Sequence, residues 1–301
     1  MSTNAGGSAR AGEVDLPAGT RIGGYELKKT IGSGTLGTVY RALQLSLDRP
    51  VAIKILSPGL ARDEEYVQRF HREARTVARL NHPNVISGID VGEDGGYRYF
   101  VMELVAGLTI RHIVERGGPM DESRVAHIAQ QISRALDHGH QLDLVHRDVK
   151  PENIIVTNDG VAKLCDLGLA KDRPEEGRSL GTPAYISPEQ ARGLQDVDIR
   201  SDLYSLGASM YHMLAGRVPF EGTPPVVMTL HASEDPVPLR RIDPEVSADM
   251  EAIVARLMQK DRGARFQTPA ELTGALDGYR HKRRRRTKGP SPRRVARRRR
   301  R

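Results

Sequence analysis

The apolar residues of this chain change their period near Gly107. Before that point they fall in short strand-like runs: Tyr25 to Ile31, Thr38 to Leu43, Val51 to Leu56, and two more around Val85 to Val91 and Tyr97 to Glu103. After it they recur every three or four positions, as in Val125, Ile128, Ile132 and Leu136 behind a capping Asp121, and in Leu203, Leu206, Met210 and Leu214 up to Gly216. One helix interrupts the strands, from about Asp63 to Leu80, with Val67, Phe70, Ala74 and Val77 as its apolar stripe. Thr268, Pro269 and Glu271 open a last helix that turns Leu272, Ala275, Leu276 and Tyr279 inward, and the fold is expected to end there. The pattern predicts an α+β chain of two lobes, a strand-rich one of about 80 residues followed by a helical one of about 170.

Charge marks off the ends. The chain carries a formal +8, but fourteen of its 46 basic residues lie between Arg280 and Arg301, where there is no acid. The remaining 32 face 38 acidic residues, so the folded part is mildly acidic and the high isoelectric point belongs to the tail. Residues 280–301 are expected to be a disordered, Arg-rich arm that binds polyanions, an anionic membrane surface or nucleic acid. Residues 1–23 are small and polar, and are also expected to be disordered. The domain proper is set at 24–279, divided into lobes at 24–104 and 105–279. No apolar run approaches a membrane span, and the first residues lack the apolar region of a secretory signal. A single cysteine, Cys165, excludes an internal disulfide and a Cys-based zinc site. A cytoplasmic location is expected, with the basic arm able to hold the chain at the inner face of the membrane. Aromatic residues make up 4% with no Trp, so the core lacks the interleaved rings of a nucleic-acid reader.

Three segments carry chemistry. Ile31, Gly32, Ser33, Gly34, Thr35, Leu36, Gly37, Thr38 and Val39 set three glycines between two strand patterns, where backbone amides can approach phosphate oxygens; a plain glycine-rich hairpin would read the same way. Lys54 follows in the apolar strand Val51 to Leu56 and needs a partner. Glu73 offers one, since it lies three after Phe70 and four before Val77 on the helix. The most specific string is His146, Arg147, Asp148, Val149, Lys150, Pro151, Glu152 and Asn153, followed by a strand, a turn at Asn158, Asp159 and Gly160, and then Asp166, Leu167 and Gly168. A carboxylate beside an acceptor hydroxyl and two hard oxygen ligands for Mg²⁺ are what phosphoryl transfer needs.

With these motifs in this order, and with Ser187-Pro188-Glu189, Asp202 and Arg265 after them, the chain resembles the eukaryotic-type protein kinases, in particular the serine/threonine kinases of bacteria, from about Tyr25 to Tyr279. The resemblance implies a bilobal fold, with a small antiparallel sheet carrying one key helix above a larger, mainly helical lobe. It implies ATP and Mg²⁺ as cofactors, with Mn²⁺ as a substitute, and proteins with Ser or Thr acceptors as partners. By resemblance Asp148 is the catalytic base and Lys150 steadies the transferring phosphate. Asn153 and Asp166 hold the metal, and the glycine loop and Lys54, paired with Glu73, hold the phosphates. The segment Glu103 to Val105 reads adenine through its backbone, with Met102 as gatekeeper. Glu189, Asp202 and Arg265 brace the helical lobe.

Leu167 stands where the family has phenylalanine, and Ser187 where it has alanine, a change expected to be neutral. Cys165 is expected to line the nucleotide site as a small buried residue. Glu152 is a candidate for favouring a basic residue before the acceptor. Between Lys171 and Leu180 the only hydroxyl is Ser179, while Glu175 and Glu176 supply carboxylates for Arg147, which predicts partial activity without loop phosphorylation. A catalytically dead kinase fold would show a lost lysine, aspartate or metal ligand, and none is lost. A small-molecule phosphotransferase of related fold would lack the Gly181 to Glu189 segment that shapes a peptide groove.

Overall fold

Alternation in the first hundred residues builds one twisted antiparallel sheet. In the computed structural model, which describes residues 14–34, 37–166 and 183–287 (without the side chains of 69, 73, 286 and 287), the strands are β1 (Arg21–Ile22), β2 (Tyr25–Gly34), β3 (Gly37–Gln44), β4 (Arg49–Leu56), β5 (Gly88–Asp94) and β6 (Tyr97–Glu103). They pair in the order β1-β2-β3-β4-β6-β5. Between β4 and β5 come a short α1 (Pro58–Ala61) and the long α2 (Glu64–Arg79). Asp63 caps α2 by accepting the Tyr66 N–H at 3.2 Å. Its stripe of Val67, Phe70, Ala74 and Val77 is buried with Ala52, Leu56, Phe100 and Met102 in one apolar cluster, so α2 rides on the face of the sheet that carries the centre of β4.

The fifth strand begins three residues later than the apolar run that predicts it. Val85 and Ile86 turn away from the sheet, and the Ile86 N–H donates to the Leu164 carbonyl at 3.0 Å. Asn84, the residue before them, is held at the same junction, its side chain donating to Gln131 and to the Ala162 carbonyl, both at 2.8 Å. This junction ties the sheet lobe to the helical lobe just behind Asp166.

Beyond Glu103 a small sheet of β7 (Gly107–Thr109), β8 (Ile154–Thr157) and β9 (Ala162–Leu164) floors the cleft. Helices α3 (Ile110–Gly117), α4 (Glu122–His140), α5 (Pro188–Ala191), α6 (Ile199–Ala215), α7 (Pro224–Ser233), α8 (Leu239–Ile242), α9 (Ala248–Leu257) and α10 (Pro269–Thr287) form the large lobe. Asp121 caps α4, and α6 ends at Gly216 in the left-handed conformation, as the sequence predicts. α6 is buried along nearly its whole length, and its Gly207 lets α9 pack close, since a Cβ there would meet that of Leu257 at 2.5 Å. Among the described residues no helix is long and apolar enough to cross a membrane.

Both expected chain ends need correction. Val14 is buried, its N–H donates to Thr38 Oγ1 at 3.2 Å and its carbonyl accepts the Tyr40 hydroxyl, so ordered packing begins ten residues before the boundary set at 24. At the other end α10 runs past Tyr279 to Thr287, and its basic residues find polar partners at the start and along α4. Arg283 pairs with the buried Glu122 at 2.9 Å and with Asp121 at 3.3 Å, and Arg280 donates to Gln130 at 2.5 Å. Charge repulsion predicted an extended arm from Arg280, and its first two turns are helical instead, beside these local acids.

Candidate active site

Asp148 sits in a loop held from below by α6. The Asp202 carboxylate accepts the backbone N–H groups of His146 and Arg147, both at 2.7 Å, and so fixes Arg147 at φ 65°, which non-glycine residues rarely adopt. Burial pushes the Asp202 carboxyl up to about 7, against the pull of those two donors. The turn Pro151–Asn153 brings Asn153 back onto Asp148, its Nδ2 donating to the Asp148 carbonyl at 2.9 Å and to Oδ2 at 3.0 Å. Lys150 Nζ donates to the same Oδ2 at 2.8 Å. Asp148, Lys150 and Asn153 are therefore one hydrogen-bonded group.

From the sheet lobe, Lys54 on β4 reaches Asp166 Oδ1 at 2.9 Å. The Lys54 ammonium holds the Asp166 carboxyl below the usual carboxylate range, with burial opposing it. Asp166 is itself at φ 53°, and His146 Nε2 lies 3.1 Å from the Cys165 carbonyl, so the two loops are tied side by side. Lys54, the loop of Asp148, Lys150 and Asn153, and Asp166 thus bring three separate segments to one cleft. Glu73 lies midway along α2, and its side chain is outside the described residues, as are Leu167 and the Lys171 to Leu180 segment with Ser179.

The glycine loop is the end of the β2–β3 hairpin, in register Gly32 with Val39, Ser33 with Thr38 and Gly34 with Gly37; Thr35 and Leu36 at its tip are outside the described residues. Gly37 has φ 147°, and a Cβ there would stand 2.0 Å from the Ile55 carbonyl oxygen, so only glycine fits against the strand that carries Lys54. A Cβ placed on Gly34 would meet nothing within 4 Å. Ile31 is 46% exposed, and Val39 packs on the cluster beneath α2. The Thr38 side chain is fully buried on the opposite face, where its hydroxyl accepts the Val14 N–H, so of Thr38 only the backbone borders the glycine loop.

Glu103 spends its carboxylate on Lys163 at 2.5 Å, which leaves only its backbone for a ligand, and Val105 is partly buried beside it. Met102 closes an apolar cavity behind Asp166, lined also by Val77, Phe100, Leu136, Leu144 and Cys165. The Cys165 thiol points back to the Asn153 carbonyl at 3.4 Å, and burial pushes its pKa up. Glu152, the candidate reader of a basic residue, already accepts from Arg111 of α3 at 2.7 Å.

Below the cleft, Arg265 and Glu189 form a two-pronged buried pair at 2.8 and 2.9 Å. Burial alone would raise the Glu189 carboxyl, but the Arg265 guanidinium outweighs it and the net shift is downward. Ser187 is not a neutral replacement. Its hydroxyl accepts the Gln190 N–H at 3.3 Å, and the Gln190 side chain returns to the Ser187 N–H, a capping box whose S-x-x-Q spacing is legible in the sequence. Gln190 also donates to the Arg147 carbonyl at 3.0 Å, linking the groove segment to the Asp148 loop.

Asn153, with Nδ2 engaged by Asp148, keeps Oδ1 for a cation, and Asp166 supplies a carboxylate. Among the described residues no group of three or more His, Cys, Asp or Glu side chains gathers to hold a metal by itself. Two oxygen donors suit a hard divalent ion that takes its other ligands from water and phosphate.

The fold and this site define a protein kinase domain. Residues 25–274 match the family model of that description, and the chain belongs to the family, whose members use ATP and a divalent metal ion. It is 41% identical over 264 residues to serine/threonine-protein kinase PknB of Mycolicibacterium smegmatis, covering 84% of this chain and 42% of that one. A probable serine/threonine-protein kinase of Clostridium perfringens is 38% identical, with 84% and 38% covered. The chain spans less than half the length of these curated relatives. Among solved structures, the kinase domain of Mycobacterium tuberculosis PknI superposes with a TM-score of 0.71 at 29% identity, covering 88% of this chain and 99% of that one. Rad53 in complex with AMP-PNP gives 0.72 at 26% identity, with 84% and 64% covered.

Proposed function

We propose that this chain transfers the γ-phosphoryl group of ATP to serine and threonine hydroxyls of proteins, in bacterial signalling. The observation that carries the reading is the group of Asp148, Lys150 and Asn153 set beside the Lys54 and Asp166 pair. Asp148 accepts the proton of the acceptor hydroxyl. Lys150, anchored on Asp148, places its ammonium where negative charge builds on the transferring group. Lys54 aims a second cation at the nucleotide phosphates, and the backbone amides of the glycine loop cover them. Asn153 and Asp166 hold Mg²⁺, with Mn²⁺ as a substitute, and the bound ion neutralises phosphate charge. Lys150, two residues after Asp148, favours Ser or Thr over Tyr by its likeness to that branch of the family. The deciding experiment is transfer of labelled phosphate from Mg-ATP to a generic basic protein, for wild type and Asp148→Asn; equal rates would refute the assignment.

A second reading concerns the arm. With Arg280 and Arg283 engaged on α4, the eight Lys and Arg residues beyond Thr287 remain to bind a polyanion and to hold the chain at the inner membrane face or on nucleic acid. Each is worth about 1 kcal/mol at most near an anionic leaflet. Sedimentation with anionic liposomes and, separately, with duplex DNA is the test, comparing the full chain with a truncation after Thr287. Equal sedimentation of the two in both assays at about 0.1 M salt leaves the arm without this role.

A further inference from the structure

Two histidines that no catalytic motif contains converge on adjacent residues of the segment that leads from the cleft into α5. His231 on α7 is fully buried, with Nδ1 2.9 Å from the Tyr204 hydroxyl and Nε2 3.0 Å from the Ala184 carbonyl. His212 on α6 places Nδ1 2.6 Å from the Tyr185 hydroxyl, with the two rings stacked at an interplanar angle of 13°.

The donors and acceptors around His231 run in one direction. A carbonyl only accepts, so Nε2 carries the hydrogen, and in the neutral imidazole Nδ1 then accepts from Tyr204. The Tyr204 oxygen in turn accepts from the Lys260 ammonium at 3.1 Å, which also donates to the His231 carbonyl at 3.1 Å. With the imidazole neutral, the chain Lys260, Tyr204, His231, Ala184 runs in one direction, and the Tyr204 hydroxyl also lies 3.5 Å from the His231 carbonyl. Burial lowers the His231 pKa to about 4, so that state holds across the physiological range. Phe220 packs its ring against His231 at 4.8 Å between centroids, nearly perpendicular. This is more organisation than filling a core requires, and it ends on the backbone of Ala184, three residues before the Ser187 cap.

We propose that His231 is a positioning residue for the protein substrate: through its Nε2–H bond to the Ala184 carbonyl it fixes the path of residues 183–187, against which the acceptor peptide lies. The proposal rests on the kinase reading above and names how that site holds its acceptor. His231 touches neither nucleotide nor acceptor, so its loss falls on acceptor binding and leaves the ATP side alone.

The test compares full-length wild type, His231→Phe and His231→Gln with Mg-ATP and a generic basic protein. Phenylalanine keeps the ring against Phe220 and Tyr204 but has no donor for Ala184; the glutamine amide restores a donor at that distance. The expected result for His231→Phe is an acceptor KM raised about threefold to tenfold, the range of one neutral hydrogen bond. Its KM for ATP and its acceptor-independent ATP hydrolysis should stay within about twofold of wild type, and His231→Gln should recover most of the acceptor KM. Hydrogen exchange reads the same contact without catalysis: the amides of residues 184–187 should exchange faster in His231→Phe while those in the middle of α6 do not. An unchanged acceptor KM, unchanged exchange at 184–187, or an equal fall in acceptor transfer and in ATP hydrolysis would each overturn the role of His231. A wild type that transfers no phosphate to any acceptor overturns the kinase reading itself.

Discussion

Replacing Arg265 by methionine tests what braces the helical lobe. Arg265 is 1% exposed and spends its guanidinium on both oxygens of Glu189 and on the carbonyls of Gln259, Lys260 and Arg200. Methionine fills much of the volume but leaves the Glu189 carboxylate buried, with the Ser201 hydroxyl as its remaining side-chain donor. Removing one partner of a buried pair costs about 3–5 kcal/mol. At about 2–4 °C per kcal/mol for a domain of this size, the midpoint should drop by roughly 6–20 °C. Urea melts followed by circular dichroism measure the loss. Charge gives the sign of its pH dependence. In wild type the Glu189 pKa is lowered, so its contribution is present above the unfolded value of about 4.3 and is lost as pH falls through the folded one. In the variant the lone buried carboxyl is raised instead, so its penalty is full at high pH and is relieved as pH falls. The gap between the two proteins should therefore narrow from pH 8 to pH 5, and adding Glu189→Leu should recover at least about 1 kcal/mol. A loss under about 1 kcal/mol, or a double variant no better than the single one, would refute the reasoning.

Asp148→Asn should lower turnover by about 10² to 10⁴ with nucleotide affinity nearly intact, whereas Asp166→Asn should weaken ATP binding in the presence of Mg²⁺ and change it little in EDTA; calorimetric titration separates the two. Gly37→Ala must push its Cβ into the Ile55 carbonyl, so it should cost about 1–3 kcal/mol and raise the KM for ATP, read by thermal melts and kinetics. Cys165, with its thiol pKa raised by burial, should resist iodoacetamide at pH 8 in the native protein and react once urea unfolds it, as intact-mass measurement will report.

The site was legible in the sequence because its chemistry is written in short spacings. Asp148, Lys150 and Asn153 lie within one loop, and their residue types fix what they do once the loop folds. Gly37 could be singled out as a glycine with a purpose, but that the purpose is contact with Ile55 depends on which strand lies beside it. Helices with caps, such as Asp63 before α2 and Asp121 before α4, were also readable, since a cap and an apolar stripe are local. The sequence marks Val85 and Ile86 as strand residues without saying that they leave the sheet to meet Leu164.

By itself, then, the sequence determined the two-lobed α+β order, the residues of the Asp148 loop and the motifs of the protein kinase family, all of which rest on residue types at short range. Tertiary structure alone decided the long-range partners. It turned the Thr38 side chain to the N–H of Val14, 24 residues earlier, and it spent Glu152 on Arg111, 41 residues away. It carried α10 through a run of like charges beside Glu122 and Asp121, and it brought His231 to Ala184 across 47 residues. A hydrogen bond or ion pair between distant residues forms only when packing has already brought them together, and no period or spacing in a chain records which neighbours packing will supply.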